Sequence, residues 1–135
     1  MNPFELMTNL VLQNKKDIDE HLLTLFALTL SVKPSTIYEL GVRTARSTLP
    51  FLYASQMINS RVISVDVSDP QPDFNFPDEW KDKWQFLRKD ALEFLKNDFP
   101  ILRKSRNTIQ QENGDIIYID DWHAGDHVEK ELELI

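Results

Sequence analysis

Four acidic residues stand at or near the ends of four short apolar runs, and their order suggests what they could hold. Glu39 lies two positions before Gly41, Asp66 closes Val62-Ile63-Ser64-Val65, Asp90 follows Trp84-Gln85-Phe86-Leu87, and Asp120 closes Ile116-Ile117-Tyr118-Ile119. Acids at the carboxyl ends of parallel strands face the crevice where open α/β sheets bind nucleotides. Asp66 lies about 25 residues beyond Gly41, near the spacing at which such folds offer a carboxylate to a ribose. Gly41 opens a turn that would set bare backbone N–H groups and a helix N-terminus at the mouth of the sheet. Asp120 and Asp121 are neighbours, so in an extended chain they point to opposite faces and do not form one paired-carboxylate site. His123 and His127 stand four apart, but Ala124 occupies the place where a zinc protease needs Glu, and Gly125 weakens the helix that would align them.

Several of these residues also have a purely structural reading. Glu39 can cap its turn through hydrogen bonds, Gly41 can serve the conformation alone, and Asp90 sits where it would N-cap a helix beginning at Ala91. Trp122 beside a strand end reads as packing. Phe74, Phe76 and Trp80 read as a satellite cluster under a loop rather than as a lid. Lys15-Lys16 and the basic run 103–106 read as solvated surface.

The elements that must position these residues follow from periodicity. Phe4, Leu6, Met7, Leu10 and Val11 recur at helical spacing, and a second helix is expected from Asp17, carrying Leu22, Leu25, Phe26 and Leu28–Leu30 inward until Pro34 breaks it. Beyond Thr36 strands and helices alternate. Strands are expected at 36–40, 61–66, 84–87 and 115–120. Helices are expected at 46–57, with Leu49, Leu52, Tyr53 and Met57 inward, and at 78–83, 91–96 and 128–135. Residues 97–113 read as a polar surface excursion. Continuous apolar strands between helices imply a Rossmann-like open parallel sheet with helices on both faces. The chain divides into an N-terminal helical segment, 1–35, and a cofactor-binding part, 36–135.

Composition excludes several classes. At 135 residues the chain is one domain. A net charge of −7 argues against an electrostatic grip on nucleic acid or an anionic membrane. Without cysteines there is no disulfide scaffold and no thiolate metal site. No apolar run approaches the roughly 20 residues of a membrane span, and the N-terminus lacks a basic flank, so a cytoplasmic location is the default expectation.

The turn Glu39-Leu40-Gly41-Val42-Arg43 with Ser47-Thr48, and the segment Ile119-Asp120-Asp121-Trp122-His123 with the helix after it, resemble class I S-adenosylmethionine-dependent methyltransferases. Within that family the chain is most similar to the small-molecule O-methyltransferases related to catechol O-methyltransferase. The likeness runs from roughly Leu22 to the last residue. It implies methyl transfer from S-adenosylmethionine to a hydroxyl of a small-molecule acceptor. It also implies roles: Gly41 lets the backbone approach the methionine part of the cofactor, and Ser47 stands near its carboxylate. Asp66 takes the ribose hydroxyls and Asp90 lies by the adenine, while Glu39 belongs to the same cofactor motif. Asp120 would hold a divalent metal such as Mg or orient the acceptor, with His123 as second ligand or as base.

Two departures stand out. The family has a second glycine where this chain has Ala45, and in the family a fifth strand with its acids and two further strands follow. This chain therefore reads as truncated after the fourth strand, whose apolar edge would seek a partner. A truncated chain, a chain completed by another copy through that edge, and a degenerate binding or assembly module are all consistent with the sequence. A nicotinamide-dependent enzyme is disfavoured, because Gly41 is not followed by the glycine spacing that dinucleotides require.

Overall fold

The computed structural model describes residues 2–104, 114–120 and 125–135. Helix α1, Pro3–Gln13, starts on Asn2, whose side chain accepts the Glu5 N–H, with Pro3 in the first turn, where its missing N–H costs nothing. A 3-10 turn, Asp17–His21, precedes α2, Leu22–Val32. The α-helix thus begins five residues later than its pattern suggested. The Asp19 carboxylate takes the N–H groups of Lys15 and Lys16 at 3.1 Å each and shapes a tight turn there instead. Lys33 ends α2 in a left-handed conformation just before Pro34.

Strand β1, Thr36–Leu40, is buried along its whole length. Helix α3, Thr48–Ile58, leads to β2, Arg61–Asp66; a second 3-10 turn, Asp78–Lys83, then leads to β3, Trp84–Arg88. Helix α4, Ala91–Glu93, runs through a π turn, Phe94–Asp98, into α5, Phe99–Lys104. Strand β4, Asp115–Ile119, and α6, Gly125–Leu134, complete the described elements.

Three sequence expectations are corrected. Residues 97–104 continue a helix rather than starting a surface excursion. Pro100 has no N–H to give, and the helix widens just before it, with the Phe99 N–H donating to the carbonyl of Phe94 five residues back. Phe99 is thereby buried edge-on against Tyr38. Residues 105–113 lie outside the described residues. Leu28 and Met57, expected inward, are 52% and 60% exposed, because their helices bury narrower stripes than the apolar pattern allowed. Helix α6 begins at Gly125, ahead of the expected Val128.

Among the described residues the four strands form one parallel sheet in the order β3-β2-β1-β4. Side chains alternate across it. Ile37 and Val62 face a core shared with Met7, Leu10, Leu22, Leu49 and Leu52 from α1, α2 and α3. Tyr38, Leu40, Ile63 and Val65 face a second core with Ala91, Phe94, Leu95 and Phe99. Along β1 and β2 both faces are covered, which is why these two strands read as nearly continuous apolar runs, whereas β3 and β4 are only partly buried. The winding reverses between β1 and β4, which places a switch-point crevice at the carboxyl ends of β1, β2 and β4. Trp80 is buried within the first core, and Phe74 and Phe76 pack against it, with Phe76 stacked on Trp84, so the three aromatics extend that core rather than form the separate satellite cluster expected of them.

Candidate functional site

The crevice is built on the loop leaving β1. Gly41, Arg43 and Ala45 all have positive φ, at 97°, 54° and 61°. Glycine takes that conformation freely, whereas a residue with a β-carbon pays about 1–2 kcal/mol for it. Ala45 is thus an alanine in a conformation that favours glycine, at the position where the resembled family carries its second glycine. Asp66 holds the loop in place. Its Oδ2 accepts the N–H groups of Val42 at 2.8 Å and Arg43 at 3.2 Å, and its Oδ1 accepts that of Val67 at 2.7 Å.

Glu39 lies beneath this loop, fully buried. Its Oε1 accepts hydrogen bonds from Thr48 Oγ1 at 2.6 Å and Ser64 Oγ at 2.7 Å, and its Oε2 accepts one from Ser47 Oγ at 2.5 Å. Trp84 Nε1 donates in turn to Ser64 Oγ. Burial pushes the carboxyl up to about 7, against the lowering effect of the three hydroxyls, and the charge of Asp120 adds to the rise. Glu39 therefore ties β1 to the start of α3 and to β2. Tyr118, on β4, is also held above its ordinary value, by burial first and then by Asp120 and Glu39.

Among the described residues two cavities border the loop. The smaller, about 290 Å³, has Gly41, Asp66 and Asp90 in its lining, with Val65, Lys89 and His127. The larger, about 600 Å³, runs from Val42, Thr44 and Ser47 to Tyr118 and Asp120 on one side and to the turn at Lys16–His21 on the other. Arg43 borders both. Of the sequence-predicted site residues, Gly41, Asp66 and Asp90 come together in the smaller cavity and Ser47 and Asp120 in the larger. Glu39 lines neither, and His123, with Asp121 and Trp122, lies outside the described residues. Asp90 caps α4, accepting the N–H groups of Leu92 and Glu93 at 3.0 and 3.2 Å, and borders the cavity as well. Among the described residues no group of three His, Asp or Glu side chains is placed to hold a metal ion.

Two features escaped the sequence. His127 reaches the smaller cavity from α6, its Nε2 3.7 Å from Oε1 of the buried Glu131; the four-residue spacing of that pair was the available signal. Arg46 gathers Asp19 and Asp73 around one guanidinium, with Nη1 to Asp19 Oδ2 at 2.6 Å, Nε to Asp73 Oδ1 at 3.2 Å and Nη2 to Asp73 Oδ2 at 3.1 Å. Burial opposes the Arg46 charge, but the hydrogen bonds to Asp73 and Asp19 outweigh it and raise its pKa, while that same guanidinium holds Asp73 below its ordinary range. No local pattern announces this cluster, since each carboxylate is 27 positions from Arg46.

No family model and no curated protein matches the chain. Solved structures do. A CmcI structure with Mg and SAM aligns at a TM-score of 0.51 and 18% identity over 82% of this chain and 43% of that one. A CmcI structure with SAH aligns at 0.53 and 18% over 82% and 50%. An apo CmcI structure aligns at 0.53 and 21% over 83% and 43%. At these identities the likeness is one of fold, that of a Rossmann-like parallel sheet. The chain spans half or less of the length of the structures it matches.

Proposed function

We propose that this chain is the cofactor-binding part of an S-adenosylmethionine-dependent methyltransferase acting on a hydroxyl of a small molecule. The observation that carries the reading is the pair of cavities meeting at the Gly41–Arg43 backbone, with Asp66 and Asp90 in one and Asp120 in the other. An elongated ligand with an adenosine at one end and an amino acid at the other would span the two cavities across that backbone. Asp66 would receive the ribose hydroxyls, since its Oδ1 accepts only the Val67 N–H and keeps a free lone pair. Asp90 and Ala91 would border the adenine, and Gly41, having no β-carbon, leaves the backbone open to the sulfur region. The amino-acid end would lie in the larger cavity between Ser47 and Asp120. The SAM and SAH held by the structures of like fold support the same assignment.

The bound cofactor would supply an electrophilic methyl group, and the chain's part is to hold and orient the reactants. Asp120, at the end of β4 with its own N–H donating to Leu40 O at 2.8 Å, is the acid placed to orient an acceptor hydroxyl or draw its proton. The described residues bring no three His, Asp or Glu side chains together for a divalent metal, so a metal role rests on Asp120 with His123, and no step here depends on it. The test is calorimetric titration with S-adenosylhomocysteine, with Asp66→Asn alongside. Saturable binding that the substitution weakens at least about ten-fold, the worth of one charged hydrogen-bond partner, is expected. No binding by the folded chain would refute the reading and favour an assembly module that keeps the fold alone.

A further inference from the structure

Three segments distant in sequence converge on Arg46. Its side chain is 3% exposed and that of Asp19 is fully buried, while Asp73 is 41% exposed. The Asp19 oxygen that receives the guanidinium also receives the N–H groups of Lys15 and Lys16. One carboxylate thus fixes both the start of the 3-10 turn and its distance from α3. That turn is one side of the larger cavity, through Lys16, Asp17, Ile18, Glu20 and His21, and the loop ending in Arg46 and Ser47 is another. Asp73 brings in the segment after β2, which is docked a second time by Gln71 N–H on Arg43 O at 2.8 Å. Neither Asp19, Arg46 nor Asp73 borders the smaller cavity.

A buried ion cluster is a poor source of net stability, because desolvation cancels most of its attraction. What it does supply is a defined distance and angle. A guanidinium held by two carboxylates, one of them in a bidentate pair, fixes its neighbours in orientation as well as in position.

We infer that the Asp19–Arg46–Asp73 cluster is a positioning device for the larger cavity, holding the N-terminal turn as its outer wall, so that ligand groups entering that cavity depend on it and groups confined to the smaller cavity do not. This rests on the proposed function, in which one ligand spans both cavities. The test uses the full chain and two probes, S-adenosylhomocysteine and 5′-methylthioadenosine, which lacks the amino-acid end. In Arg46→Met the affinity for the first falls about ten-fold or more, as expected when wall groups are misplaced, while the second stays within about two-fold. Asp73→Asn, which leaves the Asp19–Arg46 pair in place, moves the same way by a smaller factor, and it decides the matter if Arg46→Met does not fold. Equal losses for both probes would reduce the cluster to general stabilisation and overturn the inference, and so would unchanged affinity for both. Wild-type chain that binds neither probe would overturn the cofactor reading and this inference with it. Wild-type binding of both with no split in the variants overturns the inference alone.

Discussion

Replacing Glu39 with Gln should make the chain more stable at pH 8 and leave it unchanged at pH 4.5. The Glu39 carboxyl is fully buried and sits at about 7 in the folded chain against an ordinary 4.5. A raised acid binds its proton more tightly folded than unfolded. Between pH 4.5 and about 7 the native state therefore holds the extra proton, and stability falls as pH rises through that window. The whole interval is worth roughly 3 kcal/mol, or about 10 °C in Tm for a chain of this size. Gln is isosteric: its amide oxygen can accept from Thr48 and Ser64 as Oε1 does, and its NH₂ can donate to Ser47 Oγ where Oε2 now accepts. The assay is urea unfolding of both proteins from pH 4.5 to 8. The other titrating groups are common to the two, so the difference curve reports Glu39 together with its coupling to Asp120. It should start near zero and climb toward roughly 3 kcal/mol in favour of Gln, less a few tenths for imperfect hydrogen bonds. A flat difference curve, or a less stable Gln variant at pH 8, would refute the account of Glu39 as a buried carboxylate kept ionised at a cost.

Further outcomes follow from local geometry. Lys33 is exposed and left-handed at φ 53°, its N–H closing α2 on Thr29 O at 2.9 Å, so Lys33→Gly should raise stability by about 0.5–1 kcal/mol in the same urea assay. Asp90→Ala removes both N-cap acceptances and should cost about 1 kcal/mol, with a weaker S-adenosylhomocysteine titration because the same carboxyl borders the smaller cavity.

How much of this was legible depended on how local its cause was. Strands β1 and β2 were readable to the residue, because burial on both faces writes a continuous apolar run and Pro34, Gly41 and Asp66 punctuate it. Asp90 as an N-cap was readable because the cap and its helix are contiguous. The helix through Phe99 was not: Lys96, Asn97 and Asp98 break the period, and Pro100 reads as a breaker until the π turn absorbs its missing N–H. The place of Glu39 was half legible. Its turn could be seen, but two of the three hydroxyls that bind it come from the start of α3 and the third from β2, and only the fold brings them to one carboxylate. Arg46 was illegible for the same reason at longer range. The cavities, which are spaces between loops, have no sequence signature at all.

The sheet order has a consequence for how the chain reaches this state. Strand β1 precedes the other three described strands in the chain, yet it lies inside the sheet, and its two neighbours follow at very different distances along the sequence. Thr36 pairs with Arg61 on one side and with Asp115, 79 positions later, on the other. One hydrogen-bonding edge of β1 therefore waits for β4 long after β2 is available to the other, and the loop that must close to bring β4 there is entropically the most expensive in the sheet. During that interval β1 exposes an apolar strand edge of the kind on which chains aggregate or chaperones act. The switch-point crevice, which needs β4 beside β1, therefore takes shape only after β1, β2 and β3 are all available to pair.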